Sequence, residues 1–244
     1  MKSAKATKTN QGAEQTSPSQ TLSRGIRVLE ILAQAPGALS IAEISVELGV
    51  HRSIAYRILR TLEDHALVHR DPAGKVSPGA GLAILARSVS RDLQSVAMPE
   101  LKKLADELGM TAFIGIWDRQ DCVTLVTVEP QHTGATVAQR PGTRHPLSLG
   151  APGIAIQSAM DAERWHQLAP EQPYRPEAEK AKLTGYALSH DEVIPGLSSM
   201  AAPISLPGAH PAALAVVYIR SELTEEFIGN SLAKAAAQIS SLLA

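Results

Sequence analysis

The chain has 244 residues, 44% hydrophobic and 19% charged, with a formal net charge of −1, which is ample for one large or two moderate domains with buried cores. No apolar run approaches the ~20 residues needed to span a bilayer, and the polar opening MKSAKATKTNQGAEQTSPSQ has no signal-peptide core. The single cysteine, Cys122, excludes an internal disulfide framework and a cysteine-rich metal site, so a soluble cytoplasmic protein is expected.

Charge is divided unevenly. Residues 1–79 carry ten Lys/Arg against seven Asp/Glu, and residues 80–244 carry thirteen against seventeen. The basic excess lies in the N-terminal segment, where phosphate attraction would need it. Residues 1–20 are rich in Lys, Ser, Thr and Gln, lack large apolar groups, and are expected to be a disordered, solvated tail.

Residues 21–79 carry the clearest pattern. Leu22, Ile26, Leu29 and Leu32 recur at helical spacing, and Pro36-Gly37 ends that helix. Ser40 with Glu43 forms a capping box that opens a second helix. Ile41-Ile44-Leu48 and Ile54-Ile58-Leu62 are two further helical stripes on either side of Gly49, a residue that tolerates the left-handed backbone of a tight turn. This is a helix-turn-helix pattern, which sets its second helix in the DNA major groove. That helix presents Arg52, Ser53, Tyr56, Arg57 and Arg60 outward, and guanidinium and hydroxyl groups suit phosphates and guanine edges. Leu67 to Arg70 reads as a strand, Asp71-Pro72-Ala73-Gly74 as a turn, and Lys75-Val76 as the start of the return strand. The hairpin is the wing of a winged helix, with Arg70 and Lys75 placed to reach DNA. Ser40 joins these as a candidate DNA contact.

Residues 80–109 read as helical, with one linker helix over 80–95 and a second, MPELKKLADELG, opened by Pro99. Beyond them, strands are expected at 111–117, 122–128, 136–139, 186–189, 200–206 and 212–219, and helices at 149–160 and 225–243. Antiparallel strands with a few helices give an α+β domain over 96–244, with a cup between sheet and helices suited to a small ligand.

Other features read as structural. Cys122 sits in a strand pattern as a packed thiol. The scattered histidines, His145 among them, lack metal-ligand spacing and read as surface or turn residues. Trp117 and Trp165 read as packing residues, and no glycine loop is spaced to cradle a phosphate. Arg140 and Arg144 are placed for the surface, or for a carboxylate at the rim of the cup. No metal or cofactor is expected, and no Ser/His/Asp or paired-carboxylate arrangement stands out. An enzyme, for example a DNA-tethered hydrolase, is therefore the alternative reading, and a structural nucleoid protein a third.

In sequence, spacing and order, four segments resemble the IclR family of bacterial transcription regulators: SRGIRVLEILA, LSIAEISVELGVHRSIAYRILRTLEDHALVHRDPAGK, RPGTRHPLSLGAPGIAI and GYALSHDEVIPGLSSMAAPI. The resemblance covers nearly all of the chain after about residue 20. It implies an N-terminal winged helix (21–79), a linker helix and a C-terminal effector domain with a GAF- or profilin-like antiparallel sheet. It also implies dimers or tetramers that bind double-stranded, pseudo-palindromic operators, respond to a small-molecule effector, and repress or activate catabolic genes. Carried over residue by residue, it places DNA contacts at Arg52, Ser53, Tyr56 and Arg57, with the wing at 70–75. Val76 and Ser77 stand where family members often carry an aromatic and a basic residue.

For the effector, the resemblance implies backbone N–H groups over Leu149, Gly150, Ala151, Pro152, Gly153 and Ile154. It adds Ser189 or His190 in place of an Asp, Ser199 in place of a Cys, and Ala215 or Val217 in place of a Ser. Ile154 replaces a usual Lys. Buried polar groups need partners from the ligand, so the loss of several of them points to an aromatic or hydrophobic acid rather than a glyoxylate-like one.

Overall fold

The computed structural model describes residues 19–86, 89–131 and 136–244. They divide into two compact units, meeting in sequence at Val89/Ser90. Most of the expected 1–20 tail lies outside the described residues.

The first unit is built on three helices. α1 (Gln20–Gln34) stops before Pro36, with Ala35 already extended at ψ 141, as the residue before a proline prolongs a helix poorly once crowded. α2 (Ile41–Glu47) starts at the capping box: the Glu43 N–H donates to Ser40 Oγ, and the Ser40 N–H donates to Glu43 Oε2 at 2.7 Å. Gly49, at φ 65, turns the chain with its N–H on Val46 O. His51 then caps α3 (Arg52–Asp64) by accepting from the Ser53 N–H. The apolar stripes of the three helices meet in one core of Val28, Leu32, Ile44, Ile58, Leu59 and Leu62, closed below by Val68 and Val76.

Those last two residues come from the wing, β1 (Val68–Arg70) and β2 (Val76–Pro78), which are antiparallel with Arg70 opposite Val76. Leu39 adds a third rung by exchanging both backbone hydrogen bonds with Val76. The chain then passes over Ala66 into α4 (Ala80–Ala86). A Cβ on Gly79 would lie 2.3 Å from the Ala66 carbonyl oxygen, and one on Gly81 2.7 Å from it, so this crossing admits only glycine.

The expected linker helix over 80–95 is not continuous. α4 ends at Ala86, and α5 (Arg91–Leu108) begins after Ser90, whose φ of 45 is left-handed. Pro99 lies inside α5 instead of opening a helix. It sits on the exposed side, so α5 loses one backbone bond there while Ala97 and Leu101 keep its buried face intact.

In the second unit, β3 (Thr111–Asp118), β4 (Asp121–Val128), β5 (Arg144–Pro146), β6 (Ala187–His190), β7 (Ser198–Ile204) and β8 (Ala212–Tyr218) form one antiparallel sheet of order β5-β4-β3-β8-β7-β6. Alternation along the strands splits the side chains between two cores. Ile114, Met200, Ile204, Leu214 and Val216 pack with α5 and with α9 (Glu225–Leu243). Phe113, Ala201, Ala213 and Ala215 face α6 (Gly150–Ser158), with α7 (Ala162–Leu168) and α8 (Pro176–Thr184) also on this side.

The strand expected at 136–139 is absent. β4 instead hydrogen-bonds further along the chain, where Thr124 N–H meets Thr143 O and the Gly142 N–H meets Thr124 O, leading into β5. Val137 is held by the Thr111 hydroxyl on its carbonyl at 2.7 Å. Three elements went unread in the sequence: β5, α7 capped by Asp161, and α8, with Pro176 at its first position and Gly185 after its end.

Candidate functional site

Arg52, Ser53, Tyr56, Arg57 and Arg60 all lie on the exposed side of α3, opposite its buried Ala55, Ile58, Leu59 and Leu62. Helical period alone produces this separation. Arg57 also borders the groove between α1 and α3, which Arg24 lines too. Lys75 is exposed at the wing's turn, which Asp71 organises: the Lys75 N–H donates to Asp71 Oδ1 at 2.8 Å. Ser40 spends its oxygen on the cap of α2.

Arg70 is oriented otherwise. Its Nε donates to Glu63 Oε1 at 2.6 Å, its guanidinium carbon lies 5.4 Å from the centre of the Tyr56 ring, and its side chain is 24% exposed. It is turned inward onto the recognition helix, not outward from the wing.

The second unit contains a cup at the N-terminal end of α6. Phe113, Pro152, Val193, Ile194, Leu197 and Val217 supply apolar walls, and Gln139, His145, Ser189, Glu192, Ser198 and Ser199 supply polar groups. The cup has a volume of about 50 Å³. The local sequence dictates the chemistry at the cup's base. GAPGIAIQS carries no charge and is apolar up to Gln157, and every residue of α6 is buried, so its leading N–H groups need partners from the protein. Pro152 has no N–H. The Gly150 N–H donates to Glu192 Oε2 at 2.8 Å, and the Ala151 N–H to Ser189 Oγ at 2.9 Å.

Glu192 is in turn held by Arg175, with Nη1 to Oε2 at 2.6 Å and Nη2 to Oε1 at 2.9 Å. Those hydrogen bonds keep the Glu192 carboxyl below the usual carboxylate range, and they raise the Arg175 value further above its already high one. Arg175 also forks onto Glu177 and donates to Ser148 O. His145 is not a surface histidine: it is 9% exposed, lines the cup, and is pushed toward its neutral form by burial. Because it pairs with β4 across from Cys122, the strand that buries the thiol also buries the imidazole.

Of the residues inferred for the effector, Gly150, Pro152, Ser189, Ser199 and Val217 line the cup. Ala151 enters through its N–H on Ser189. Leu149 is the residue before the first turn of α6. Gly153 packs against the Leu147 carbonyl, while Ile154 and Ala215 are fully buried in the core and off the cup wall. His190 is exposed, with Nδ1 2.8 Å from Ser198 Oγ. Sequence reasoning missed Glu192, Arg175 and His145. The only local signal was acid- and arginine-bearing loops flanking the motifs, and nothing in the spacing pairs residues 175 and 192. Arg144 is not at liberty to meet a ligand carboxylate, because it bridges Asp118 and Asp121 at 2.5 and 3.0 Å.

Among the described residues no cluster of His, Cys, Asp and Glu could hold a metal ion, and no helix is long and apolar enough to cross a membrane. A winged helix with a basic outward face, followed by an antiparallel-sheet unit with a cup, is the arrangement of a DNA-binding transcription regulator.

Residues 21–72 match the family model of the IclR helix-turn-helix domain, and residues 86–241 that of the bacterial transcriptional regulator IclR C-terminal domain. The chain belongs to the IclR family. It is 31% identical over 199 residues to the HTH-type transcriptional regulator Rv1719 of Mycobacterium tuberculosis, covering 75% of this chain and 76% of that protein. An IclR-type regulator from Alicyclobacillus acidocaldarius has the same fold, with a TM-score of 0.76, 26% identity, and coverage of 93% of this chain and 100% of that one. A homologue from Microbacterium hydrocarbonoxydans, crystallised with 4-hydroxybenzoate, aligns with a TM-score of 0.77 at 21% identity over 91% of this chain and 98% of that one, a likeness of fold. Family members are transcription regulators and not enzymes, which removes the DNA-tethered hydrolase reading.

Proposed function

We propose that this chain is a ligand-responsive regulator of a catabolic pathway, acting in the cytoplasm as a homodimer or homotetramer on a pseudo-palindromic operator. α3 enters the major groove, with Arg52, Ser53, Tyr56, Arg57 and Arg60 toward DNA and Lys75 on the flanking backbone. The cup senses a small organic acid with an apolar or aromatic body. What carries this reading is the composition of the cup, where Phe113, Val193, Ile194, Leu197 and Val217 surround the first turn of α6. A ring can pack against the first set, and a helix N-terminus favours a carboxylate. The bound 4-hydroxybenzoate in the homologue of the same fold supports the ligand class.

Two measurements test it. A footprint on the DNA upstream of the chain's own gene should be protected, and 4-hydroxybenzoate should alter that protection. Calorimetry should show 4-hydroxybenzoate binding more tightly than glyoxylate. Tight glyoxylate binding with no aromatic acid bound would refute the ligand class, and sequence-independent DNA binding would refute operator recognition.

A further inference from the structure

The carboxylate that the first turn of α6 would be expected to take from a ligand is already supplied by the chain. Glu192 accepts from the Gly150 N–H and is gripped at both oxygens by Arg175, the two side chains being 23% and 17% exposed. The second free amide of that turn is occupied by Ser189. One guanidinium serves two carboxylates here, Glu192 and Glu177. The cup's lining holds no lysine or arginine, and its histidine is buried. A further carboxylate entering the cup as it stands would meet negative charge with no cation left to pair it.

The segment carrying Glu192 is a self-contained loop. Residues 191–197 join β6 to β7 and close on themselves: the Asp191 N–H donates to Leu197 O, the Leu197 N–H to Ile194 O, and the Gly196 N–H to Asp191 Oδ1 at 2.6 Å. Among the described residues, the hydrogen bonds between this loop and the α6–α8 side of the cup run through the Glu192 carboxylate. Val193 and Ile194 line the cup yet remain 44% and 50% exposed. With the loop in place the cup's 50 Å³ is about a third of the roughly 150 Å³ cavity that takes up benzene. A ring-sized acid needs the loop displaced outward.

We propose that Glu192 is a built-in surrogate for the effector's carboxylate: an acidic ligand binds by exchanging with it, taking the Gly150 N–H and Arg175 while loop 191–197 shifts outward to make room and keeps Val193, Ile194 and Leu197 against the ligand's apolar body. This rests on the reading of the cup as an acid site. It makes Arg175 the residue that selects carboxylate over neutral ligands, and it sets a threshold affinity that an acid must exceed to be sensed.

The test uses the full chain and variants Glu192→Ala, Glu192→Gln and Glu192→Ala/Arg175→Met. Thermal unfolding is followed in sodium acetate and in sodium chloride at equal ionic strength. Acetate should raise the Tm of Glu192→Ala saturably, by about 3 °C or more, and leave the wild type and the double variant unmoved. Calorimetry should show 4-hydroxybenzoate binding about tenfold more tightly to Glu192→Gln than to wild type, with 4-hydroxybenzamide unchanged. The Gln variant keeps the side-chain volume and serves if the Ala variant does not fold. Equal acetate responses in wild type and Glu192→Ala, or equal 4-hydroxybenzoate affinities in wild type and Glu192→Gln, would overturn the exchange. In the latter case the cup would still be an acid site. Acetate rescue without any 4-hydroxybenzoate binding would uphold the exchange and remove the aromatic-acid reading.

Discussion

Replacing Arg70 with methionine keeps an unbranched side chain as far as the position of Nε and removes the guanidinium with its charge. Two contacts go with it, the 2.6 Å hydrogen bond to Glu63 and the cation–π contact to Tyr56 at 5.4 Å, and so does a buried Nη2 that has no hydrogen-bond partner. The pair is mostly shielded, at 24% and 28% exposure, so the charge-assisted bond contributes about 1.5–3 kcal/mol, and the ring contact adds about 0.5–1 kcal/mol. Relief of the unsatisfied Nη2 returns about 1 kcal/mol. The net loss is about 1–3 kcal/mol, which in a unit of this size lowers the melting temperature by roughly 4–24 °C.

The consequence for DNA differs from that of an arginine on phosphate. Arg70→Met should weaken operator binding only by loosening Tyr56, so the slope of log K against log salt should stay at the wild-type value. Arg57→Ala should lower that slope by about 0.9 if its guanidinium neutralises a phosphate. Fluorescence anisotropy across a salt series, with calorimetric melting of the same proteins, separates the two. In a Tyr56→Ala background the effect of Arg70→Met on affinity should vanish. An unchanged melting temperature with a slope reduced by about 0.9 would mean that Arg70 reaches DNA and the bracing argument is wrong.

Acid should destabilise the second unit in two stages. His145 has its value lowered by burial from 6.5, and Glu192 and Glu177 are lowered from 4.5, chiefly by hydrogen bonds from Arg175. Each depressed group contributes stability that is present above its unfolded value and lost as pH falls through its folded one. Melting temperature should therefore decline first below about pH 6.5 and again below about pH 4.5, with Glu192→Gln flattening only the second decline; a profile unaltered by that substitution would contradict it. Gly153→Ala puts a methyl 2.0 Å from the Leu147 carbonyl oxygen and should cost about 3 kcal/mol or more, whereas Gly37→Ala meets nothing within 4 Å and should stay within about 0.5 kcal/mol. Equal chemical denaturation midpoints for the two would be inconsistent with the packing described. Cys122 is 1% exposed, and its thiol is pushed up to about 12, first by burial and then by the Asp121 charge. A disulfide reagent at pH 8 should label it only at the rate of unfolding, and rapid labelling of the native chain would refute its burial.

The recognition helix was legible because everything that specifies it is local. A capping box, a positive-φ glycine and an apolar stripe lie within one or two turns of each other, and the period of 3.6 sends Arg52, Tyr56 and Arg57 to the face that Ile58 and Leu62 leave free. The same local period extended α4 too far, because nothing in the sequence of the linker announces a left-handed Ser90. It also misread Pro99, whose tolerance inside α5 depends on which side of the helix the core covers.

By itself, then, the sequence determined the winged helix, the basic face of α3, most strands of the second unit and the α+β class, since each follows from short-range period and turn chemistry. Only the tertiary structure decided that Arg70 turns inward, that His145 is buried, and that Arg175 and Glu192, seventeen positions apart, close the first turn of α6. The physical reason is the complete burial of that helix. Once α6 is enclosed by sheet and helices, its leading amides must be satisfied from within, and which distant carboxylate reaches them is a property of the packed sheet and not of any local stretch of chain.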